Sequence, residues 1–450
     1  MNVLRRVLVW SGVENTTYFI AGLEEPESPI LYDGLPLMQF FNLPEDLIRD
    51  VAAQIHSRTN RDYRIPVVGT PGNLETPQVF EIMPFDQIDT ADRRFYAIDG
   101  SRNSHTFYNG ISICFYQAGY VCFQHGQQVR LNDGDDPVIL GQVYHGQKLL
   151  VLSERDLADV YDDFLALAPV TALLSFFGSQ PEEVFPYSKE TITQSIPALL
   201  GFCQEVLEWA CLYDIATHAT LSAGDFVLRD GALRSLHIKQ RYLVKLGYLF
   251  HTKNVHVVAI TKQSPIKTEL SYTYSKIDSY LQAKLRPEYP FKAKDPKAQK
   301  LCCYFEARDD LLEAAYQGSG SGMYAKKDIM GGRGFGLFFT ARLDYVEKLQ
   351  NYDWLICDLN IYDCIPGIAV KDFARDPGKI GKIMYDLTAT TQEHYILGYP
   401  YPLVEAHHLV SLTGDFKDEA IARVKHSLYA SQQMDHTDIE NLFLDLHSRF

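Results

Sequence analysis

Two short stretches of this chain end an apolar run on an aspartate. The sequence reads RFYAIDGSR around Asp99 and FVLRDGALR around Asp230. Aspartate is disfavoured inside β-strands, and α/β proteins place their chemistry at the carboxyl ends of strands. We therefore predict that Asp99 and Asp230 each end a strand, and that Gly100 and Gly231 allow the chain to leave sharply.

Two carboxylates brought to one edge of a sheet repel each other unless a positive charge lies between them. A divalent cation is a common solution, because hard carboxylate oxygens suit Mg²⁺ or Mn²⁺ and these ions also accept a substrate phosphate. The alternative is that each aspartate only forms an Asx turn with nearby backbone N–H groups. Spacing alone leaves both interpretations open.

A long helical pattern over residues 196–219 carries two further acids. Glu205 and Glu208 are three residues apart, on neighbouring positions that border the apolar stripe. Either carboxylate would complete a three-acid metal cluster with Asp99 and Asp230. A solvated helix edge is the alternative for each of them.

The surrounding elements predict an α/β domain with a mixed sheet flanked by helices. Strand patterns alternate with the helical patterns at 196–219 and 236–250, and further helical patterns follow residue 372. The predicted strands cover 95–99, 110–124 (two strands meeting near Gly119), 148–153, 225–230, 255–262, 335–342 and 354–360.

Three regions are predicted along the chain. Residues 1–90 form an N-terminal accessory region that opens with a β-hairpin and ends in a Pro/Gly-rich connector at 66–78. Residues 91–412 form the main α/β domain, with a Gly/Lys-rich insertion at about 285–335. Residues 413–450 form a C-terminal helical tail.

The composition is that of a folded protein, with 46% hydrophobic and 22% charged residues among 450. The net charge of −15 argues against a sequence-independent nucleic-acid coat protein, so any nucleic-acid role needs a local basic groove. Eight cysteines lie mainly in apolar segments without a CxxC pair, which favours reduced core thiols in a cytoplasmic protein. No run of 18 apolar residues predicts a membrane span.

The order of five sequence pieces resembles the NurA family of DNA-end-processing nucleases. The pieces are AIDGSR, the helix segment EVLEWA, FVLRDGAL, the VVAITK strand that ends on Lys262, and GYPYPLVEAHHLV at 398–410. The resemblance covers roughly residues 90–412. It implies an RNase H-like core.

The resemblance also implies which residues form the catalytic site. Asp99, Glu208 and Asp230 match the metal-binding acids, with Glu205 as the competing helix acid. The late tyrosine and histidine match Tyr399 and His407, with Tyr401 and His408 as competing positions. Lys262 would neutralise a phosphate, and His407 would ligate the metal or transfer a proton.

Further implications concern the substrate and the partners. The family acts on DNA with Mn²⁺ as the preferred ion, forms a ring-like homodimer and works with a HerA-type hexameric ATPase in repair or anti-phage defence. Basic residues after the two Asp-Gly pairs and in the basic loop at 326–333 would contact the DNA backbone. These are Arg102, Arg234, Lys239, Arg241 and Arg333.

Two other functions remain open from the sequence. One is a nuclease-like docking subunit of the ATPase that has little activity alone. The other is a metal-dependent RNase H-like enzyme that acts on RNA, or a phosphatase.

Overall fold

The computed structural model describes most of the main domain and short segments before it. The described ranges are 93–107, 112–132, 138–146, 150–151, 154–261, 302–306, 334–343, 354–365, 375–392, 398–431 and 435–442, with residues 49 and 53 and five short strands nearer the N-terminus. The chain divides into two compact units, Met1–Tyr63 and Arg64–Phe450. The region boundaries at 90 and 412 stay predictions.

The first unit contains two antiparallel strand pairs. Strand β1 (Val7–Gly12) pairs with β2 (Asn15–Ile20), and β3 (Leu31–Tyr32) pairs with β4 (Leu35–Pro36). The β1–β2 pair is the predicted N-terminal hairpin.

The second unit is built on one mixed sheet. Its strands follow the order β10-β7-β6-β11-β12-β15-β14-β13-β5, and β8 and β9 also pair with β7. They are β5 (Phe80–Glu81), β6 (Arg94–Thr106), β7 (Ser112–Gln124), β8 (Gln127–Gln128), β9 (Gly141–His145), β10 (Leu150–Val151), β11 (Phe226–Asp230), β12 (His256–Thr261), β13 (Cys303–Glu306), β14 (Gly336–Arg342) and β15 (Leu355–Asn360).

The strand directions confirm the predicted mixed α/β fold. Strand β6 runs parallel to β11, and β11 runs parallel to β12, whereas the other described pairs are antiparallel. An antiparallel meander on one side of β6 and two parallel strands on the other is the arrangement of RNase H-like sheets.

The prediction that a strand ends at Asp99 is wrong. Strand β6 continues to Thr106 because β7 pairs with it along its whole length, with Asp99 opposite Gly119. The parallel pairing of β6 with β11 does stop there, since its last pair is Ile98 with Arg229. Asp99 therefore lies where the parallel neighbour ends, although its own strand does not.

The predicted break near Gly119 is also wrong, because β7 is one continuous strand over Ser112–Gln124. A Cβ atom at residue 119 would lie 2.4 Å from the carbonyl oxygen of Gln142 on β9. The glycine makes room for the neighbouring strand and does not end its own.

Helices cover the sheet. Among the residues that the structure describes, the helices with defined bounds are, in chain order, α1 (Glu154–Leu165), α2 (Ala168–Phe177), α3 (Pro181–Val184), α4 (Lys189–Ile192), α5 (Ile196–His218), α6 (Gln240–Thr252), α7 (Ile361–Cys364), α8 (Pro377–Gln392), α9 (Tyr401–Val410), α10 (Gly414–Ser431) and α11 (His436–Leu442). The predicted helix at 236–250 begins later, at Gln240, because the Ser235 hydroxyl first caps a turn by accepting the N–H groups of His237 and Ile238.

Helix α5 forms the centre of the core. Ser195 caps its first turn by accepting the N–H of Ala198. Phe202 and Trp209 are fully buried, and α5 packs on both β6 and β7. All eight cysteines are buried, as predicted.

No single helix among the described residues is long and apolar enough to span a membrane. A sharply bent pair, Asp156–Leu165 with Ala168–Phe177, meets the length and composition only when its two members are taken together.

Candidate active site

Asp99 on strand β6 contacts helix α9, which lies far along the chain. One of its carboxylate oxygens, Oδ1, accepts the N–H of Gly100 at 2.7 Å. The other, Oδ2, lies 2.7 Å from Nδ1 of His407 on helix α9. The side chain of Asp99 is buried, whereas about half of the His407 side chain is exposed. The contact joins two residues 308 positions apart.

Glu208 enters the same region from helix α5, and Gly100 allows its approach. A Cβ atom at residue 100 would lie 2.5 Å from Oε1 of Glu208, which only a glycine avoids. Gln204, one turn earlier, donates from Nε2 both to Oε1 of Glu208 at 3.1 Å and to the carbonyl of Gly100 at 2.9 Å. This amide thus links the helix acid to the strand that carries Asp99.

The second oxygen of Glu208 is bound by a buried arginine. Nη2 of Arg229 lies 2.5 Å from Oε2 of Glu208, and both side chains are less than a tenth exposed. Burial raises the pKa of Glu208 to about 7, Arg229 opposes that change, and the neighbouring charges of Asp99 and Glu205 add to it. Helix α5 therefore holds its acid in a desolvated place beside Asp99.

Asp230 is the last residue of β11, as predicted. Gly231 follows with φ of +111°, a conformation that favours glycine, and donates its N–H to the carbonyl of Ile260 at 3.1 Å. Tyr399 is buried, and burial raises the pKa of its phenol well above the ordinary value. The carboxylates of Asp230 and Asp99 lie close enough to raise it further.

The competing acid on α5 faces a different set of partners. Glu205 accepts the N–H of Leu236 at 3.2 Å through Oε1, and its Oε2 lies 3.6 Å from Nε2 of His237. Glu205 thus fixes the turn before α6, whereas Glu208 faces Asp99.

The competing residues on α9 also point elsewhere. Nδ1 of His408 lies 3.6 Å from Oε1 of Glu405, and the ring of Tyr401 packs edge-on against Phe123 at 5.5 Å between centroids. Of each two competing residues that the sequence left undecided, the structure therefore brings one to the site. The assembled group is Asp99, Glu208, Asp230, Tyr399 and His407.

The predicted DNA-contacting cations differ in their surroundings. Arg102 is exposed and donates to the carbonyl of Pro197 at 3.2 Å. Lys239 and Arg241 both donate to the carbonyl of Glu183, at 2.9 and 3.3 Å.

Arg234 lies mostly inside the protein. Its side chain is only 10% exposed, its Nε lies 3.7 Å from Asp358, and its Nη2 donates to the carbonyl of Gly336 at 3.1 Å. The guanidinium of Arg234 is therefore not exposed for contact with the DNA backbone. Lys262 and Arg333 lie outside the described residues.

Three residues that hold the site were not predicted. Arg229 and Gln204 bind Glu208, and Asp358 on β15 accepts the N–H of Leu233 at 2.8 Å in the turn after Asp230. Burial raises the pKa of Asp358 to about 6, although Arg234 opposes the change. The sequence held a signal for each of them. Arg229 and Asp358 are charged residues inside the apolar runs FVLRD and WLICDLN, and Gln204 lies four residues before Glu208 on one helix.

The donor chemistry of the three acids fits a hard divalent cation, because carboxylate oxygens are ordinary ligands of Mg²⁺ and Mn²⁺. Among the residues that the structure describes, however, no three His, Cys, Asp or Glu side chains are placed so that they could hold a metal ion as they stand. The oxygens of Glu208 and Asp99 are bound by protein donors instead. A cation would have to share these carboxylates with Arg229 and His407 or displace one of them.

Comparison with solved structures includes a distant likeness. A crystal structure of NurA with manganese aligns over 88% of this chain and 98% of its own, with 11% sequence identity and a TM-score of 0.25. No family model and no curated protein matches the sequence. The fold assignment accordingly depends on the strand order, and the site on its own geometry.

Proposed function

We propose that this protein is a divalent-metal-dependent deoxyribonuclease that hydrolyses phosphodiester bonds during DNA-end processing and works with a HerA-type hexameric ATPase. The proposal includes Mn²⁺ or Mg²⁺ as the cofactor and a homodimer as the working form. It combines the resemblance found in the sequence with the group of side chains around Asp99.

The contact between Asp99 and His407 carries the proposal. The resemblance assigns the first aspartate and the late histidine to one catalytic site, and the two side chains lie 2.7 Å apart across 308 residues of chain. An isolated Asx turn at Asp99 would not need this partner. Tyr399, eight residues before His407, reaches Asp230 and Asp99 from the same segment.

The roles of the chain's own residues follow from their positions. Asp99, Glu208 and Asp230 would hold the cation, which when bound supplies a nucleophile at neutral pH and balances charge on the phosphate oxygens. Asp99 orients the imidazole of His407 through Nδ1, and the partly exposed ring is placed to take or give a proton at Nε2. The buried phenol of Tyr399 lies close to the carboxylates of Asp230 and Asp99.

A substrate comparison tests the proposed reaction. Purified protein is incubated with linear DNA, circular DNA, single-stranded RNA and a phosphomonoester, in EDTA, Mg²⁺ or Mn²⁺. We expect cation-dependent cleavage of linear DNA. Cleavage of RNA alone, or hydrolysis of the monoester alone, would contradict the proposal.

The ion pair between Glu208 and Arg229 favours a second candidate, a nuclease-like subunit that docks on the ATPase and has little activity alone. In this state the helix acid is bound by a protein cation. Adding the purified ATPase to the same assay separates the two functions: cleavage without the ATPase supports the enzyme, and cleavage only with it supports the docking subunit.

A further inference from the structure

Arg229 is a buried cation at the centre of the proposed site. It is the residue before Asp230, and its side chain is 6% exposed. One nitrogen, Nη2, binds Oε2 of Glu208, while Nη1 donates to the carbonyl of Ala232 in the turn that follows Asp230. The guanidinium also lies over the ring of Trp209, 4.6 Å from its centroid.

These contacts fix the guanidinium from three sides. Helix α5 supplies both the carboxylate and the indole, and the turn after β11 supplies the carbonyl. A planar guanidinium suits such a place, because it pairs with carboxylates and stacks on aromatic rings at the same time. Arg229 therefore ties the helix that carries Glu208 to the strand that carries Asp230.

The charges around it explain why a cation is needed. Glu208 is buried and is close enough to Asp99 for the two negative charges to repel. Buried carboxylates require compensation by an opposite charge. Arg229 supplies it for Glu208, as His407 supplies a partner for Asp99.

We propose that Arg229 is a built-in counter-cation, which holds the Glu208 carboxylate in place when no divalent cation is bound and competes with that cation for Glu208. The inference rests on the proposed metal-dependent function. Arg229 is thus a positioning residue. It lets the acid cluster fold without metal, and it weakens the binding of metal at Glu208.

Melting temperatures of three variants in EDTA test the first half of the proposal. Arg229→Gln leaves the Glu208 carboxylate without its cation, so we expect a melting temperature several degrees below that of the wild type. Glu208→Gln/Arg229→Gln removes both charges and should regain most of that loss. Arg229→Lys keeps the charge and should melt between Arg229→Gln and the wild type. A double variant that melts below Arg229→Gln would overturn the counter-cation role.

The competition between Arg229 and the cation is tested by titration with Mn²⁺, in which binding is measured by calorimetry and stability by the melting temperature. Arg229→Gln should bind Mn²⁺ several-fold more tightly than the wild type, and Mn²⁺ should raise its melting temperature by more. The double variant, which lacks the Glu208 carboxylate, should show neither the tighter binding nor the larger increase. An equal Mn²⁺ effect on wild type and Arg229→Gln would overturn the competition alone. If no variant binds Mn²⁺, the competition and the cation of the proposed function both fail.

Discussion

His407 and His408 are adjacent residues with different surroundings, so substituting each in turn tests which histidine belongs to the site. Nδ1 of His407 faces Asp99, whereas Nδ1 of His408 faces Glu405 on its own helix. The sequence alone left the two residues open, because both belong to one EAHHLV segment.

We predict that His407→Ala lowers the rate of DNA cleavage by about 10²–10⁴-fold, the usual contribution of an acid–base group. The matched variant His408→Ala should cleave at nearly the wild-type rate, because its side chain is exposed and faces Glu405 on its own helix. Initial rates on linear DNA with Mn²⁺ give the comparison. A larger loss from His408→Ala than from His407→Ala would reverse the assignment.

Asp358 gives a prediction on stability. Its pKa is raised from 3.8 to about 6 in the folded protein, where the carboxyl is fully buried. Between these two values the folded state binds more protons than the unfolded state, so stability falls as the pH rises through this window.

Asp358→Asn should remove that dependence, since an amide does not titrate. The free energy of unfolding of the wild type, relative to the variant, should fall by about 3 kcal/mol between about pH 4 and about pH 7. Chemical denaturation at several pH values measures it. Parallel curves for the two proteins would show that folding does not raise the pKa of Asp358.

At the scale of elements, the site depends on the close approach of strand β6 and helix α5. Oε1 of Glu208 and Cγ of Gln204 occupy the space that a side chain at Gly100 would need. The helix acid can meet Asp99 only because residue 100 has no Cβ.

We predict that Gly100→Ala destabilises the protein by about 1–3 kcal/mol, the usual cost of an overpacked core position, and displaces Glu208 enough to reduce cleavage. Gly414→Ala is the matched control, because nothing lies within 4 Å of a Cβ at that glycine. Melting curves and cleavage rates are compared for the two variants. If Gly100→Ala behaves like Gly414→Ala, the approach is not tight.

The sequence predicted the elements with strong apolar patterns and missed what depends on pairing. Strand β11 and helix α5 were predicted because apolar residues fill them, and an aspartate ends the strand. The second half of β6, SRNSHT, has poor strand propensity and alternates between exposed and half-buried residues. Pairing with β7 alone makes it a strand, so its end could not be predicted locally.

The side chains of the candidate site also divide into those predicted from local patterns and those that depend on distant contacts. Asp230 at a strand end and Glu208 on a helix followed from local patterns. The contact of His407 with Asp99 spans 308 residues, and only the resemblance to a family pointed to it. The Arg229–Glu208 pair depends on how helix and sheet pack, which the spacing of residues does not specify.

At the scale of the whole molecule, all five side chains of the candidate site lie in the unit Arg64–Phe450. The buried cluster that supports them is drawn from residues between Phe95 and Ala406.

We predict that a chain starting at Arg64 folds and cleaves linear DNA with Mn²⁺ at a rate within a few-fold of the full chain, because it keeps the sheet, α5 and α9. Circular dichroism and initial rates on the same substrate provide the measurement. Loss of cleavage in a truncated chain that is still folded would assign the first unit a part in the reaction.

If Asp99 belongs to a cation-dependent phosphodiesterase site, DNA cleavage requires both this carboxylate and the cation. Cleavage of end-labelled linear DNA is measured for the wild type and for Asp99→Asn, each titrated with Mn²⁺ after treatment with EDTA. We expect cleavage that rises with Mn²⁺ in the wild type and none above background in a folded Asp99→Asn. Equal cleavage by the two proteins, or wild-type cleavage that persists in EDTA, would contradict this assignment.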